Sequence, residues 1–134
     1  MKIVIMGCGR VGSTVATRLD AEGHDVTIVD LETQAFRRLP DSFGGERFAG
    51  SGVDDRVLIA AGIREADAFL ALTQGDNRNL FASQLAKHLF RVETVVTRVY
   101  DPLRAELFEE LGLRTFSPTR ISADQAYKSL FEGG

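Results

Sequence analysis

Short runs of branched aliphatic residues alternate along the chain with stretches in which apolar residues recur every three or four positions. The runs are typical of buried strands, and the periodic stretches are typical of helices that cover them. Strands are predicted at residues 2–6, 25–30, 46–49, 68–73, 94–100 and 114–117, each followed by a helical segment. This alternation predicts an α/β fold, a Rossmann-like doubly wound parallel sheet of six strands with helices on both faces. No linker or repeat interrupts it, so residues 1–134 are expected to form one domain.

Two helices are predicted with specific boundaries and faces. After the fourth strand, Asp76 and Asn77 can cap a helix that runs to about Phe90. In the last helical segment, residues 118–134, Ser122 and Gln125 have the spacing of a capping box and predict a helix that opens there and ends at Phe131. In the helix that follows the fourth strand, four apolar side chains are expected to face the core, namely Leu80, Phe81, Leu85 and Leu89.

The first strand leads directly into a glycine-rich turn. The residues GCGRVG match G-x-G-x-x-G between a strand and a helix, which is the context that a dinucleotide-binding fingerprint requires. Gly7 permits a sharp turn, Gly9 permits close approach of a pyrophosphate, and Gly12 lets the helix lie near the sheet. The N–H groups at that helix start form an anion site. Asp30, at the end of the second strand, is the acid expected to bind a ribose 2′-OH, so an adenine dinucleotide or related adenine nucleotide is predicted.

Charged residues near the predicted ligand refine this prediction. Leu31, Glu32 and Thr33 follow the ribose acid and supply no arginine for a 2′-phosphate, which favours NAD over NADP. Arg98 lies inside an apolar run, so either a carboxylate or a ligand phosphate should satisfy its charge. Arg10 lies within the glycine turn and faces either the phosphates or solvent.

Several other residues follow strand ends, and each has two interpretations. Ser51, Gly52, Val53 and Asp54 follow the third strand, where the adenine is expected to lie, and Asp54 either contacts the base or caps a helix. Thr73 follows the fourth strand, where its hydroxyl and backbone can meet ribose or phosphate. For Asp76, Asn77 and Asn79, a ligand contact and a helix cap are weighted evenly.

Composition limits the class of protein. With 44% hydrophobic and 26% charged residues, the chain has the make-up of an ordinary globular protein. A net charge of −3 gives no electrostatic case for binding nucleic acid, and no apolar run has the length of a membrane span or a signal peptide. The single cysteine, Cys8, excludes an internal disulfide and favours a reducing compartment. Its thiol is either a redox sensor at a helix N-terminus or a small residue that fills the turn.

Residues for catalysis are scarce. His24 precedes the second strand at the edge opposite the ligand, and His88 lies late on a helix. No metal-ligand cluster or activated nucleophile is visible in the sequence, so a binding domain that is not an enzyme is expected. The alternative is the cofactor-binding half of an NAD-dependent oxidoreductase whose catalytic half is another chain. A redox-responsive transcription regulator would need a DNA-binding module, for which no residues remain.

Several motifs together resemble a known family. The segments GCGRVG, GSGVDD, LIAAGIREADAFLALTQGDNRN and VVTRVYDPLRAELFEELG are similar to the TrkA-N or RCK (regulator of potassium conductance) domain from Lys2 to about Pro118. The resemblance implies a regulatory subunit of a potassium uptake system or channel that binds NAD(H) or ATP, ADP or AMP. It further implies a homodimer or ring attached to a membrane potassium-conducting subunit, on the cytoplasmic side of the membrane.

The resemblance also assigns roles by position. The glycine turn would hold the phosphates, Asp30 the ribose, residues 52–54 the base, and Arg98 would face the phosphates. The family's turn after the third strand usually reads GDA-x-D, whereas this chain has GSGVDD. The family often carries a second, C-terminal ligand domain, so this chain is expected to be a one-domain regulator or a fragment. The candidate nucleotide-binding residues are Gly7, Cys8, Gly9, Arg10, Val11, Gly12, Asp30, Leu31, Gly52, Val53, Asp54, Thr73, Asp76, Asn77 and Arg98.

Overall fold

A computed structural model describes residues 1–132 of the chain. The helices are α1 (Arg10–Ala21), α2 (Asp55–Ala60), α3 (Asp76–Gln84), α4 (Pro102–Glu110) and α5 (Pro118–Phe131), with short 3₁₀ helices at Thr33–Arg38 and Ile63–Glu65 and a π-helical turn at Leu85–Leu89. The strands in the described residues are β1 (Lys2–Met6), β2 (Asp25–Asp30), β3 (Glu46–Ala49), β4 (Ala68–Ala71), β5 (Thr94–Arg98) and β6 (Arg114–Phe116).

All six strands pair in parallel, in the order β3-β2-β1-β4-β5-β6. The prediction of a doubly wound parallel sheet is confirmed. β1 lies between β2 and β4, so the chain builds outward on one side of β1 and then crosses to the other. Such a reversal of strand order opens a crevice at the carboxyl ends of the central strands. The glycine turn that follows β1 lies at this point.

The core is divided between the two faces of the sheet. On one face, alternate residues such as Val4 and Phe69 pack against α2, α3 and α4. On the other face, residues such as Ile5 and Ile28 pack against α1 and the first 3₁₀ helix. Burial of one such side chain stabilises the fold by about 1.5–3 kcal/mol. Helices on both faces explain why the central strands read as continuous apolar runs.

The predicted inward face of α3 is wrong in part. Phe81 and Leu89 are 53% and 57% exposed, and Leu80 and Leu85 are only half-buried. The buried face carries small residues instead, because the helix lies close to β5, where the Thr97 hydroxyl donates to Ser83 Oγ at 2.7 Å. The helical run continues through the π-helical turn to Leu89, which agrees with the predicted end near Phe90. The buried positions of this run are Asn79, Ala82, Ser83 and Ala86.

The predicted start of the last helix is also wrong. α5 begins at Pro118, and the Ser117 hydroxyl accepts a hydrogen bond from the Arg120 N–H at 3.2 Å. A serine cap followed by proline at the first helical position is a strong start signal that overrides the later capping-box spacing. Ser122 and Gln125 lie within the helix. The predicted end at Phe131 is correct, and residues 133 and 134 of the predicted segment lie outside the described residues.

α5 differs from the other helices because none of its residues is buried. Its apolar side chains, among them Leu130 and Phe131, are exposed. None of the helices in residues 1–132 is long and apolar enough to cross a lipid bilayer.

Candidate nucleotide site

A cleft of about 1180 Å³ opens at the carboxyl ends of the strands. Its walls are the glycine turn after β1, the end of β2 with the following 3₁₀ helix, the loop after β3, and the segments that follow β4 and β5. The cleft therefore lies at the crevice that the strand order creates. The predicted residues that line it are Gly7, Cys8, Gly9, Arg10, Val11, Asp30, Leu31, Gly52, Val53, Thr73 and Arg98.

Two glycines shape the turn at the centre of the cleft. Gly7 has φ +108°, and its N–H donates to the Val29 carbonyl at 2.8 Å. Gly12 does not line the cleft but lies behind it, where a Cβ would come within 1.8 Å of the Gly7 carbonyl oxygen. The first turn of α1 can therefore approach the sheet only with glycine at this position. Gly9 is the N-cap of α1 and has no side chain that could accept a hydrogen bond from the first N–H groups of the helix. Those N–H groups are therefore available to an anion.

Asp30 joins the glycine turn to the end of β2. One carboxylate oxygen accepts a hydrogen bond from the Cys8 N–H at 2.7 Å, and the other accepts one from the Glu32 N–H at 2.8 Å. A carboxylate has about four acceptor positions, so both oxygens can still accept from ligand hydroxyls. The side chain both orders the turn and presents acceptors to the cleft.

The Cys8 side chain is fully buried, and its thiol donates to the Ala35 carbonyl at 3.3 Å. Burial raises the pKa of the thiol to about 11, and the nearby negative charge of Asp30 adds to this rise. A redox-sensing cysteine needs a lowered pKa and access to solvent. The structure therefore favours the interpretation that Cys8 fills the turn.

A buried asparagine connects the segments that follow β4 and β5. Asn79 Oδ1 accepts from the Thr73 N–H at 3.1 Å and from the Thr73 hydroxyl at 2.6 Å. Its amide nitrogen donates to the Thr73 and Arg98 carbonyls, each at 2.9 Å. The side chain is fully buried, so these contacts fix Thr73 and the end of β5 relative to α3.

Arg98 is only 5% exposed and lines the cleft. Its Nε donates to the Thr73 carbonyl at 3.2 Å, and its guanidinium carbon lies 5.1 Å from the centre of the Tyr100 ring. None of the ion pairs among the described residues involves Arg98. Arg98 thus contacts a carbonyl and an aromatic ring but no carboxylate among residues 1–132, and its contact with a ligand phosphate stays a prediction.

Besides Gly12, three further candidates lie outside the cleft. Asp54 caps α2 by accepting from the Arg56 N–H at 2.9 Å, and the hydrogen bonds from the Arg56 side chain lower the pKa of this carboxyl. Asp76 accepts from the Tyr100 N–H at 2.9 Å, and Asn77 accepts from the Arg104 guanidinium. The N-cap of α3 is Gly75 without a side-chain cap, so the prediction that Asp76 or Asn77 caps this helix is wrong. Asp76 instead ties the start of α3 to the segment after β5.

The cleft also contains residues that the sequence analysis did not select. The walls of the cleft carry five arginines and two carboxylates, so they are positively charged, whereas the whole chain has a net charge of −3. Such a concentration of positive charge attracts an anionic ligand. The adjacent arginines at 37 and 38 could have been noticed as a basic pair shortly after the ribose acid. The unselected lining residues with polar side chains are Glu32, Gln34, Arg37, Arg38, Gln74, Arg78 and Tyr100.

Comparison with known proteins identifies the family. The sequence profile of the TrkA-N domain matches residues 3–118. The chain belongs to the TrkA-N family. A Trk system potassium uptake protein TrkA from Streptomyces coelicolor is 48% identical over 134 residues, which is 100% of this chain and 60% of that protein. A TrkA homolog from Pyrococcus abyssi is 38% identical over 100% of this chain and 62% of its own length. This TrkA-N domain thus spans about three fifths of the length of these relatives.

Solved structures share the TrkA-N fold. The TrkA-N domain of the inner membrane protein ybaL from Escherichia coli has a TM-score of 0.85 at 16% identity, over 98% of this chain and 96% of that one. A Kef C-terminal domain from Shewanella denitrificans in an AMP-bound form has a TM-score of 0.77 at 23% identity, over 99% and 84%. The GsuK channel bound to NAD has a TM-score of 0.72 at 21% identity, over 87% and 21%. At these identities, the likeness is one of fold.

Proposed function

We propose that this TrkA-N domain binds an adenine nucleotide in the cleft, either NAD(H) or ATP, ADP or AMP, and that it does so as a regulatory domain and not as an enzyme. The observation that carries the proposal is the joint placement of Asp30 and the glycine turn. The Asp30 carboxylate accepts a hydrogen bond from the Cys8 N–H at 2.7 Å. This bond ties the residue proposed to bind the ribose to the turn that leads into the uncapped start of α1. The related folds described with NAD and with AMP support the same ligand class.

The proposed contacts follow from the walls of the cleft. Phosphate oxygens accept hydrogen bonds from the first N–H groups of α1, and Gly9 leaves the space that they need. Arg98 and Arg10 supply positive charge beside those phosphates. Asp30 accepts hydrogen bonds from the ribose hydroxyls, and Thr73 lies against the ligand on the β4 side. The base lies beside Gly52 and Val53, which line the wall after β3.

The biological role that we propose is regulation of potassium uptake. It rests on the relatives named Trk system potassium uptake protein TrkA. In this proposal the domain acts in the cytoplasm, assembles as a homodimer or ring, and attaches to a membrane potassium-conducting subunit. Nucleotide binding alters that assembly only if the ligand binds one arrangement of subunits more tightly than the other.

Calorimetric titration of the purified chain with NADH, NAD, ATP, ADP and AMP tests the proposal. We expect binding by at least one nucleotide, and Asp30→Ala should weaken it by ten-fold or more because the ribose acceptor is lost. The matched control is Asp25→Ala, which removes an acid from the other end of the same strand, where Asp25 is exposed and pairs with Lys2 at 3.7 Å. Thermal melts of each variant separate loss of binding from loss of fold.

Two results would contradict the proposal. A folded wild-type chain that binds none of the five nucleotides would contradict the proposal that the cleft takes NAD(H), ATP, ADP or AMP. Turnover of NAD or NADH with an alcohol, aldehyde, hydroxy acid or amine would favour the cofactor-binding half of an oxidoreductase instead. Binding without turnover supports the regulatory role.

A further inference from the structure

Two adjacent arginines on one wall of the cleft have no role in the contacts proposed above. Arg37 and Arg38 form the end of the first 3₁₀ helix, and both line the cleft. Their side chains are exposed, and neither takes part in an ion pair among residues 1–132. Ala35 and Leu39, on the same segment, are buried and hold it against the sheet. The arginine pair is thus held at the cleft without a protein carboxylate to neutralise it.

The arginine pair lies on the ribose side of the cleft. The 3₁₀ helix starts three positions after Asp30, and the Cys8 thiol donates to the Ala35 carbonyl at 3.3 Å. The helix is therefore fastened to the same turn that Asp30 orders. Arg38 lies close enough to Cys8 for its positive charge to lower the pKa of the thiol, although burial raises that pKa by more.

The other cationic side chains of the cleft come from different walls. Arg10 belongs to the glycine turn, while Arg78 and Arg98 come from the first turn of α3 and the end of β5. These three, with the start of α1, suffice for the 5′-phosphates of a nucleotide. The arginine pair adds positive charge where the adenine ribose is expected to lie, beyond what a 5′-phosphate chain requires.

We propose that the cleft binds a phosphomonoester on the adenine ribose, and that Arg37 and Arg38 recognise it. This inference rests on the proposed nucleotide function and specifies the class of its ligand. Guanidinium groups form paired, charge-assisted hydrogen bonds with phosphate oxygens, and an exposed arginine can take up a phosphate without breaking a protein contact. The 2′-phosphate of NADP(H) is the expected source. A 3′-phosphate, as in adenosine 3′,5′-bisphosphate, has the same chemistry.

Two carboxylates in the cleft act against a further phosphate. Asp30 is partly compensated because each of its oxygens already accepts a backbone N–H. Glu32 also lines the cleft, and its side chain is exposed. Neither carboxylate forms an ion pair with Arg37 or Arg38 among residues 1–132, and the five arginines of the cleft outnumber its two carboxylates, so the cleft stays positive. The absence of arginine at positions 31–33 therefore does not exclude NADP, because the 3₁₀ helix brings arginines from positions 37 and 38.

The test is calorimetry on the full chain with 5′-AMP, adenosine 2′,5′-bisphosphate, adenosine 3′,5′-bisphosphate, NAD, NADP and ATP. Wild type should bind one of the ribose-phosphorylated ligands at least ten-fold more tightly than its unphosphorylated counterpart. The double variant Arg37→Gln, Arg38→Gln should lose that factor and change the affinity for 5′-AMP by less than two-fold. Arg64→Gln is the matched control, since it removes an exposed arginine from the second 3₁₀ helix, outside the cleft.

The outcomes separate this inference from the function on which it rests. No binding of any nucleotide would overturn the proposed function itself. Binding of 5′-AMP or NAD with no gain from a ribose phosphate would overturn only the present inference. A double variant that loses ATP more than it loses the ribose-phosphorylated ligands would also overturn it, because the arginine pair would then bind the 5′-phosphate chain. Preference for the 2′- or the 3′-bisphosphate identifies which ribose position is recognised.

Discussion

Two glycines of the turn after β1 face opposite surroundings, which makes them a natural pair for substitution. A Cβ at Gly12 would lie 1.8 Å from the Gly7 carbonyl oxygen, whereas a Cβ at Gly9 would meet no heavy atom within 4 Å. Gly12→Ala should therefore lower the free energy of unfolding by about 1–3 kcal/mol, since α1 must move away from the sheet. It should also weaken nucleotide binding, because the start of α1 moves with it.

Gly9→Ala should behave differently. Its φ of −83° suits alanine and its surroundings are open, so stability should fall only by about 0.5–1 kcal/mol, because alanine is a poorer N-cap than glycine, while the new methyl group occupies space proposed for the phosphates. Urea unfolding and nucleotide titration of both variants measure the two effects. Equal loss of stability in both variants would refute this account of the turn.

The buried Cys8 thiol makes the free energy of unfolding depend on pH in the alkaline range. Its pKa is raised from 9.0 to about 11 in the folded chain, first by burial and then by Asp30. Below pH 9 the thiol is protonated in both states, so it contributes no pH dependence. As pH rises from 9 to 11 the unfolded chain releases this proton and the folded chain retains it, so stability falls, by an amount on the order of 2 kcal/mol.

Urea unfolding at pH 7.5 and pH 10.5 measures this fall. Cys8→Ala lacks the thiol and should lose less stability between the two pH values than wild type. Equal losses in the two proteins would show that the thiol titrates normally in the folded chain.

Single residues differed in how far their roles could be predicted from sequence. The placement of Asp30 beside the glycine turn was predictable because strand end, glycine turn and acid follow one another at the spacing of a nucleotide-binding fingerprint, while its contact with a ribose stays a prediction. Arg37 and Arg38 were not, because position in the sequence does not reveal that a 3₁₀ helix directs this segment along the cleft wall. Asp54 and Asp76 could equally contact a ligand or backbone N–H groups, and only the structure distinguishes the two.

At the scale of elements, one asparagine ties α3 to two strands. Asn79 makes four hydrogen bonds, all to Thr73 or Arg98, and is fully buried. Asn79→Ala should lower the free energy of unfolding by about 2–3 kcal/mol, because buried polar groups of Thr73 and Arg98 lose their partner. Nucleotide binding should weaken as well, since both residues line the cleft.

Asn77→Ala is the matched control on the same helix. Asn77 is exposed and lies outside the cleft, and its side chain accepts a hydrogen bond from the Arg104 guanidinium at the surface. Its loss should change stability by less than about 0.5 kcal/mol. If Asn79→Ala lowers the free energy of unfolding no more than Asn77→Ala does, the Asn79 hydrogen bonds do not hold α3 to the strands.

The orientation of α3 was mispredicted for a reason that belongs to this scale. Periodicity assigns the core face of a helix to its large apolar residues. Here the fully buried positions are Asn79, Ala82, Ser83 and Ala86, Leu80 and Leu85 are only half-buried against the core, and Phe81 and Leu89 are exposed. Hydrophobicity alone cannot detect this, because the side chains that face β5 include polar ones such as Ser83, which accepts a hydrogen bond from the Thr97 hydroxyl.

For the whole molecule, sequence reasoning succeeded best. Six apolar runs of strand length separated by helical stretches leave few options other than a parallel sheet with helices on both faces, since parallel neighbours need long crossover connections. The strand order then brings five segments that are distant in sequence to one edge, and this creates the cleft. What the pattern could not supply was the start of α5, where a Ser117–Pro118 signal outcompetes the capping-box spacing.

α5 supplies the last prediction, which concerns assembly. The helix buries no residue, and Ile121, Tyr127, Leu130 and Phe131 are all more than half exposed. We expect a second copy of the chain to cover this surface, so sedimentation velocity at micromolar concentration should show a dimer. Leu130→Glu with Phe131→Glu should give a monomer, whereas Gln125→Glu adds charge to the same helix without removing an apolar side chain and should remain dimeric. A monomeric wild-type chain would contradict this prediction.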